Sequence, residues 1–176
     1  MSKQTVPLKA VFVEEGLIVR SSADTLITGV EARRAKVIPD QRGRLGEIMR
    51  ADDPWFEKFG QVYFTTTYPG VVKAWHFHKI QTDHFYVIEG LVKIGLYDER
   101  DDSPTKGVVN ELYLGEHCPG LVRLPPGVQH GWMCVGTKEA YIVNIVSEMY
   151  DRSAPDEYRT DPHENHIPYD WTRKDG

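Results

Sequence analysis

The chain has only two cysteines in 176 residues, Cys118 and Cys134, too few for a disulfide framework and without zinc-ribbon spacing. A reducing, cytoplasmic setting is the expectation that follows. Dense runs of lysine and arginine are also missing. With 21 basic against 26 acidic side chains the formal net charge is −5, which speaks against nucleic acid or an anionic membrane as the main partner. No apolar run approaches the roughly 20 residues of a membrane span. The opening Met1-Ser2-Lys3-Gln4-Thr5-Val6-Pro7 lacks the charged-then-apolar pattern of an export signal. There is no internal repeat and no low-complexity tract. A soluble chain with one core is expected, and a hydrophobic fraction of 40% is enough to build it.

What is present is a series of β-prone segments. Gly60 to Thr67, Val71 to Phe77, Phe85 to Tyr97, Val108 to Leu114, Leu121 to Leu124 and Tyr141 to Val146 are separated by Gly, Pro and Asp. That punctuation predicts an all-β domain, sandwich or barrel. The chain divides into N-terminal strands or an arm over 1–35, the main domain over 36–150, and an irregular tail over 151–176 that packs on it. In the first part Val11-Phe12-Val13 and Leu17-Ile18-Val19, split by Glu14-Glu15-Gly16, suit a hairpin or an arm exchanged with a second copy. Only the stretch from Gly46 to Phe59 has helical possibilities, and Pro54 interrupts it.

Parity picks out the candidate site. In a strand, His76 and His78 leave one face while Trp75 and Phe77 leave the other. An inward polar face encloses a ligand, a metal or a catalytic group, because burying two unpartnered imidazoles costs on the order of several kcal/mol. The turn Pro125-Pro126-Gly127 places His130 at the start of the next strand. His84, one residue past Asp83, should face away from the site. His117, His163 and His166 are expected at the surface, and Trp75, Phe77, Trp132 and Cys134 are expected in the core.

Six segments in order resemble the dTDP-4-dehydrorhamnose 3,5-epimerase family over about residues 35 to 171. They are Asp40-Gln41-Arg42-Gly43-Arg44-Leu45-Gly46-Glu47, Phe59-Gly60-Gln61, Lys73-Ala74-Trp75-His76, Ser103-Pro104-Thr105-Lys106-Gly107, Pro125 to Trp132, and the ending Thr160-Asp161-Pro162 with Ile167-Pro168-Tyr169-Asp170-Trp171. The resemblance implies a cupin-type double-stranded β-helix, a jelly-roll barrel with short helical or irregular segments at the C-terminus, in a homodimer that exchanges N-terminal strands. It implies an epimerase or isomerase of a nucleotide-linked 4-keto-6-deoxy sugar, with dTDP the expected nucleotide, that needs no cofactor. By the same resemblance His76 is the general base, Asp161 its orienting partner, and Arg42, Glu47, Gln61, Lys73, His130 and Asn144 contact substrate.

The chain departs from the family at three points. The lysine that stabilises the enolate aligns with Asp83, the proton-returning tyrosine with Asn144, and a nucleotide-contacting asparagine with Tyr63. A second chemistry competes for the same histidines. The spacing Gly-x5-His-x-His-x4-Asp-x6-Gly, followed by His130, is a metal-binding cupin pattern. His76, His78, Asp83 and His130 would then hold Fe, Mn, Ni or Zn in an isomerase or dioxygenase. A nitrogen of His76 bound to metal cannot also take a proton. A non-catalytic sugar-nucleotide-binding cupin is the third class.

Overall fold

The structure, a computed structural model, describes residues 5–12 and 17–173. The expected turn at Glu14-Glu15-Gly16 lies outside the described residues. The strands are β1 (Lys9–Phe12), β2 (Ile18–Ser21), β3 (Glu31–Arg34), β4 (Val37–Asp40), β5 (Gly43–Gly46), β6 (Gln61–Thr67), β7 (Val72–Phe77), β8 (Asp83–Glu89), β9 (Leu91–Asp98), β10 (Val109–Gly115), β11 (Gly120–Leu124), β12 (Val128–Cys134), β13 (Ala140–Val146) and β14 (Tyr158–Arg159). One sheet has the order β1-β2-β10-β9-β12-β7-β14 and the other β3-β11-β8-β13-β6, while β4 and β5 form a separate hairpin. Both strands of the N-terminal pair join the sheet of their own chain, β1 on β2 and β2 on β10.

The all-β expectation holds, but the closed barrel does not, and of the helical or irregular segments expected at the C-terminus none described is helical. Neither sheet closes: β1 and β14 are the edges of one, β3 and β6 of the other, and no ladder joins the two sheets. Closure is unnecessary because the apolar faces cover each other. Ile94, Leu96 and Leu112 from the first sheet share one core with Phe85, Val122 and Ile142 from the second. There is no helix among the described residues, including 46–59 and the tail. Pro54, Pro155, Pro162 and Pro168 each remove an amide donor that a helix would need. None of the described elements is a helix long and apolar enough to cross a membrane.

The run Phe85 to Tyr97, read as one strand, is two. Gly90 adopts φ +81°, a left-handed conformation open to glycine, and a Cβ there would lie 2.7 Å from the Ala140 Cα. The chain turns at that residue and passes from the five-stranded to the seven-stranded sheet. A second apolar layer lies on the outer face of the latter, where Ile167, Tyr169 and Trp171 of the tail cover Trp75 and Met133.

The Ser103-Pro104-Thr105 turn is organised around one buried carboxylate. Asp98, fully buried at the end of β9, accepts hydrogen bonds from Arg100 Nε (2.8 Å) and Nη2 (2.9 Å), Ser103 Oγ (2.5 Å) and Thr105 Oγ1 (2.6 Å). Burial alone would raise its pKa, but the Arg100, Ser103 and Thr105 bonds together hold it well below the usual carboxylate range. Asp98→Ala should cost about 3 kcal/mol by stranding these donors. At about 3 °C per kcal/mol for a chain of this size, that is a fall of roughly 9 °C in Tm. The group is depressed in the folded state, so its stabilisation is complete above the unfolded carboxylate pKa and is lost as pH falls toward the folded one. Melting curves of the two proteins should therefore converge below about pH 4.

Candidate metal centre and pocket

The site forms where the two sheets approach. His130 on β12 pairs directly with His76 on β7, and the ring centroids are 4.1 Å apart. Trp75 leaves the opposite face of β7 into the tail layer, and Phe77 stacks on Tyr158 at 5.0 Å. His78 lies one residue beyond the end of β7, and Asp83 opens β8 on the facing sheet. One ligand atom from each of His76, His78, Asp83 and His130 can be chosen so that all lie within 4.8 Å of one another. Bonds of about 2.1 Å to one tetrahedral ion place its ligand atoms about 3.4 Å apart.

The tautomers leave the centre of the cluster short of donors. His78 Nδ1 contacts the Asp156 carbonyl, and His130 Nδ1 lies 2.9 Å from the Val128 carbonyl. A carbonyl only accepts, so both Nδ1 atoms carry hydrogen, and the neutral rings present lone pairs at Nε2. Those atoms face Asp83 Oδ2, itself an acceptor, at 3.3 Å from His78 and 3.1 Å from His130. Despite the distances, Asp83 Oδ2 and His130 Nε2 are buried without a hydrogen-bond partner. Gln81 Nε2 also lies 3.3 Å from His78 Nε2, so the atoms left without a donor are Asp83 Oδ2 and His130 Nε2, which need either a proton or a cation between them. A divalent transition ion fits three imidazoles and one carboxylate.

With no ion present, the charges respond as this geometry requires. Burial alone would raise the Asp83 pKa, yet His130 and His78 hold it well below the carboxylate range. Burial alone would lower the His78 pKa, but Asp83 raises it, so a proton on His78 Nε2 is what the cluster takes up in place of a cation. His76 is driven well below its ordinary value by burial first and by the adjacent His130 next.

Outer partners hold the ligands. Gln81 Nε2 donates to Asp83 Oδ1 at 2.7 Å and Asn144 Nδ2 to the same oxygen at 3.1 Å. The Asp156 carboxylate accepts the amides of Lys79 (2.8 Å), Ile80 (2.8 Å) and Gln81 (3.0 Å), which fixes the loop between His78 and Asp83. Beside the cluster opens a cleft of about 930 Å³ lined by Gln61, Tyr63, Lys73, His76, Trp132 and Tyr150 among others. The acids Glu148, Asp151 and Glu157 lie on its rim, with Arg159.

Of the residues expected to contact substrate, Gln61 and Lys73 line the cleft, and His130 and Asn144 stand in the cluster behind it. Arg42 does not line it. It is exposed at the tip of the β4–β5 hairpin, bound to Asp40 through its amide (2.8 Å) and guanidinium (2.5 Å). Glu47, also exposed, lies 3.4 Å from Arg50. Asp161 is exposed, and its Oδ1 accepts the amides of His163 (2.8 Å) and Glu164 (2.7 Å). His84 faces away, with Nδ1 3.0 Å from the Ile145 carbonyl. Gln81, Asp156 and Tyr63 were not picked out as site residues. The first could have been, by its even spacing from Asp83; Asp156 reaches the site only through the folding back of the tail.

Comparison with known proteins agrees with this architecture. The description "polysaccharide biosynthesis C-terminal domain" matches residues 38–158. A probable low-salt glycan biosynthesis epimerase of Haloferax volcanii is 40% identical over 82% of this chain and 89% of its own. A spore coat polysaccharide biosynthesis protein of Bacillus subtilis is 36% identical over 83% of this chain and 97% of its own. The crystal structure of a dTDP sugar isomerase from Desulfovibrio desulfuricans superposes with a TM-score of 0.80 at 31% identity, over 85% of this chain and 94% of that one. Solved dTDP-4-dehydrorhamnose 3,5-epimerases share the fold. The chain belongs to the polysaccharide biosynthesis C-terminal domain family.

Proposed function

We propose that this protein is a metal-dependent epimerase or isomerase of a nucleotide-linked 4-keto-6-deoxy sugar used in building a surface glycan. The observation that carries the metal is the convergence of His76, His78, Asp83 and His130 on one point, with Asp83 Oδ2 and His130 Nε2 buried there and unpartnered. The named activities of the relatives, a glycan biosynthesis epimerase and a dTDP sugar isomerase, support the reaction class and a nucleotide-linked sugar. His76, His78, Asp83 and His130 would hold the ion, and when bound it would polarise the ketone and stabilise negative charge developing on its oxygen. The cleft is large enough for a sugar nucleotide, and Lys73 and Arg159 offer it positive charge for the diphosphate. Trp132 walls the cleft next to His76, with centroids 5.9 Å apart, and excludes water from that side. The exposed Val62 and Phe64 on edge strand β6 favour a second copy of the chain packing there. We include a homodimer, with or without exchange of β1 and β2, in the proposal.

A second reading makes His76 a metal-free base. It is favoured by the position of His76, largely buried but lining the cleft wall, and by a lowered pKa that keeps it neutral. One measurement separates the two. Deuterium uptake from heavy water beside the ketone of dTDP-4-keto-6-deoxyglucose should stop on chelation and return with one added divalent ion. Uptake that persists in metal-free protein assigns the base role to His76. Absence of uptake under every condition removes this sugar from both readings.

A further inference from the structure

Tyr63 lies on β6 directly opposite Asn144 of β13 and lines the cleft. The orientation of the Asn144 amide is set by its neighbours. The His84 main-chain N–H, 3.0 Å away, can only donate, so the amide oxygen faces it. The NH2 group then gives one hydrogen to Asp83 Oδ1 at 3.1 Å and the other to the Tyr63 hydroxyl oxygen at 2.8 Å. A phenol whose oxygen accepts from Asn144 keeps its own proton for another acceptor. Among the described residues no protein group takes that proton, and the side chain is 41% exposed toward the cleft. Burial and the Asp83 charge push its pKa up to about 12, so the proton is in place at neutral pH.

Position adds the second half of the argument. β6 belongs to the five-stranded sheet and β7 to the seven-stranded one, so Tyr63 and His76 stand on facing walls of one cleft. Inverting a carbon next to a ketone requires exchange of protons on opposite faces of a planar enolate. Groups on facing walls can reach both.

We propose that Tyr63 is the proton donor of the epimerisation, acting from the β6 wall, with Asn144 as its positioning residue; this rests on the function proposed above. The proton on the β7 side goes to His76 in the metal-free reading and to a solvent water where His76 holds the ion; the electron pair of the broken C–H bond then forms the enolate, with the charge on the former ketone oxygen. The enolate π pair then makes a new C–H bond with the Tyr63 proton. The O–H pair stays on the phenolate, which the Asn144 N–H stabilises until water reprotonates it. Asn144 ties this group to the metal cluster, since the same amide holds Asp83.

The test is Tyr63→Phe, which removes one oxygen and keeps the ring. In heavy water the variant should bind metal as wild type does and invert the carbon about 10²–10⁴-fold more slowly. It should still exchange the proton at that carbon with retained configuration. Exchange that outlasts inversion is a signature that a merely structural role would not leave. Inversion within three-fold of wild type would overturn the assignment, and so would loss of metal together with both activities. If wild-type protein neither exchanges nor inverts, the functional reading itself has failed and the role of Tyr63 falls with it.

Discussion

Asp83→Asn should abolish tight metal binding while leaving the metal-free protein at least as stable as wild type. The two halves have opposite signs for one reason. In the metal-bound state the carboxylate supplies both a ligand and the only negative charge of the cluster. Its loss should lower affinity by more than the about 10–100-fold that an outer-shell partner is worth, and turnover by about 10³-fold or more. In the metal-free state, above the raised pKa of His78, Asp83 Oδ2 faces two acceptors at 3.1 and 3.3 Å, and an amide nitrogen there would donate to them instead. Gln81 and Asn144 still find an acceptor in the remaining oxygen, at 2.7 and 3.1 Å. Thermal melts in chelator should therefore put the variant at or above wild type, and added metal should raise only the wild-type curve. If the cluster is instead a permanent ion pair of Asp83 with protonated histidines, the substitution breaks a buried pair and costs about 3–5 kcal/mol in either buffer. A large loss of stability in chelator would thus reject the metal centre.

The parts of this site legible in the sequence were those set by short-range geometry. Two-residue periodicity separated His76 from Trp75, and the structure sends them to the cluster and to the tail layer. His84 faces away from the cluster for the same reason. His130 was placed next to a strand start by Pro125-Pro126-Gly127, and it is the third residue of β12. What periodicity could not supply was closure between distant segments. Asp156 reaches the His78 loop only because the tail folds back along β7, a contact spanning more than 70 residues of chain. The same holds for the link from Asn144 to Asp83 and Tyr63, which depends on the register of β13 with β6 and β8. The closed barrel failed for a related cause. Alternating apolar residues are equally satisfied by a closed sheet and by two open sheets facing each other, and the difference lies in edges that no local pattern records. Continuous β-propensity from Phe85 to Tyr97 likewise hid a change of sheet at Gly90.

Trp171→Ala should be the most destabilising single substitution outside the central core, although only five residues of the sequence follow it. Trp171 is 2% exposed, and its ring centroid is 4.9 Å from Trp75 and 4.7 Å from Tyr169. The three rings sit over Gly95 of β9, where a Cβ would come within 2.8 Å of Trp171 and 3.1 Å of each of the others. Glycine is thus what lets the aromatic layer lie flat on the sheet. Polar contacts fasten its rim: Lys93 Nζ donates to the Trp171 carbonyl at 3.2 Å, and the Tyr169 hydroxyl donates to Glu111 at 2.7 Å. Removing a buried indole from such a cluster costs about 3–5 kcal/mol, or roughly 10 °C in Tm for a chain of this length. Gly95→Ala should approach that loss from the other side, by lifting the rings rather than deleting one. Because Trp75 immediately precedes His76, a loosened layer should also weaken metal retention, measurable by competition with a chelator at a temperature where the variant is fully folded. A fall in Tm of less than 3 °C would mean that the tail is an ornament on the sheet. A large fall with unchanged metal affinity would mean that β7 holds His76 without help from its outer face.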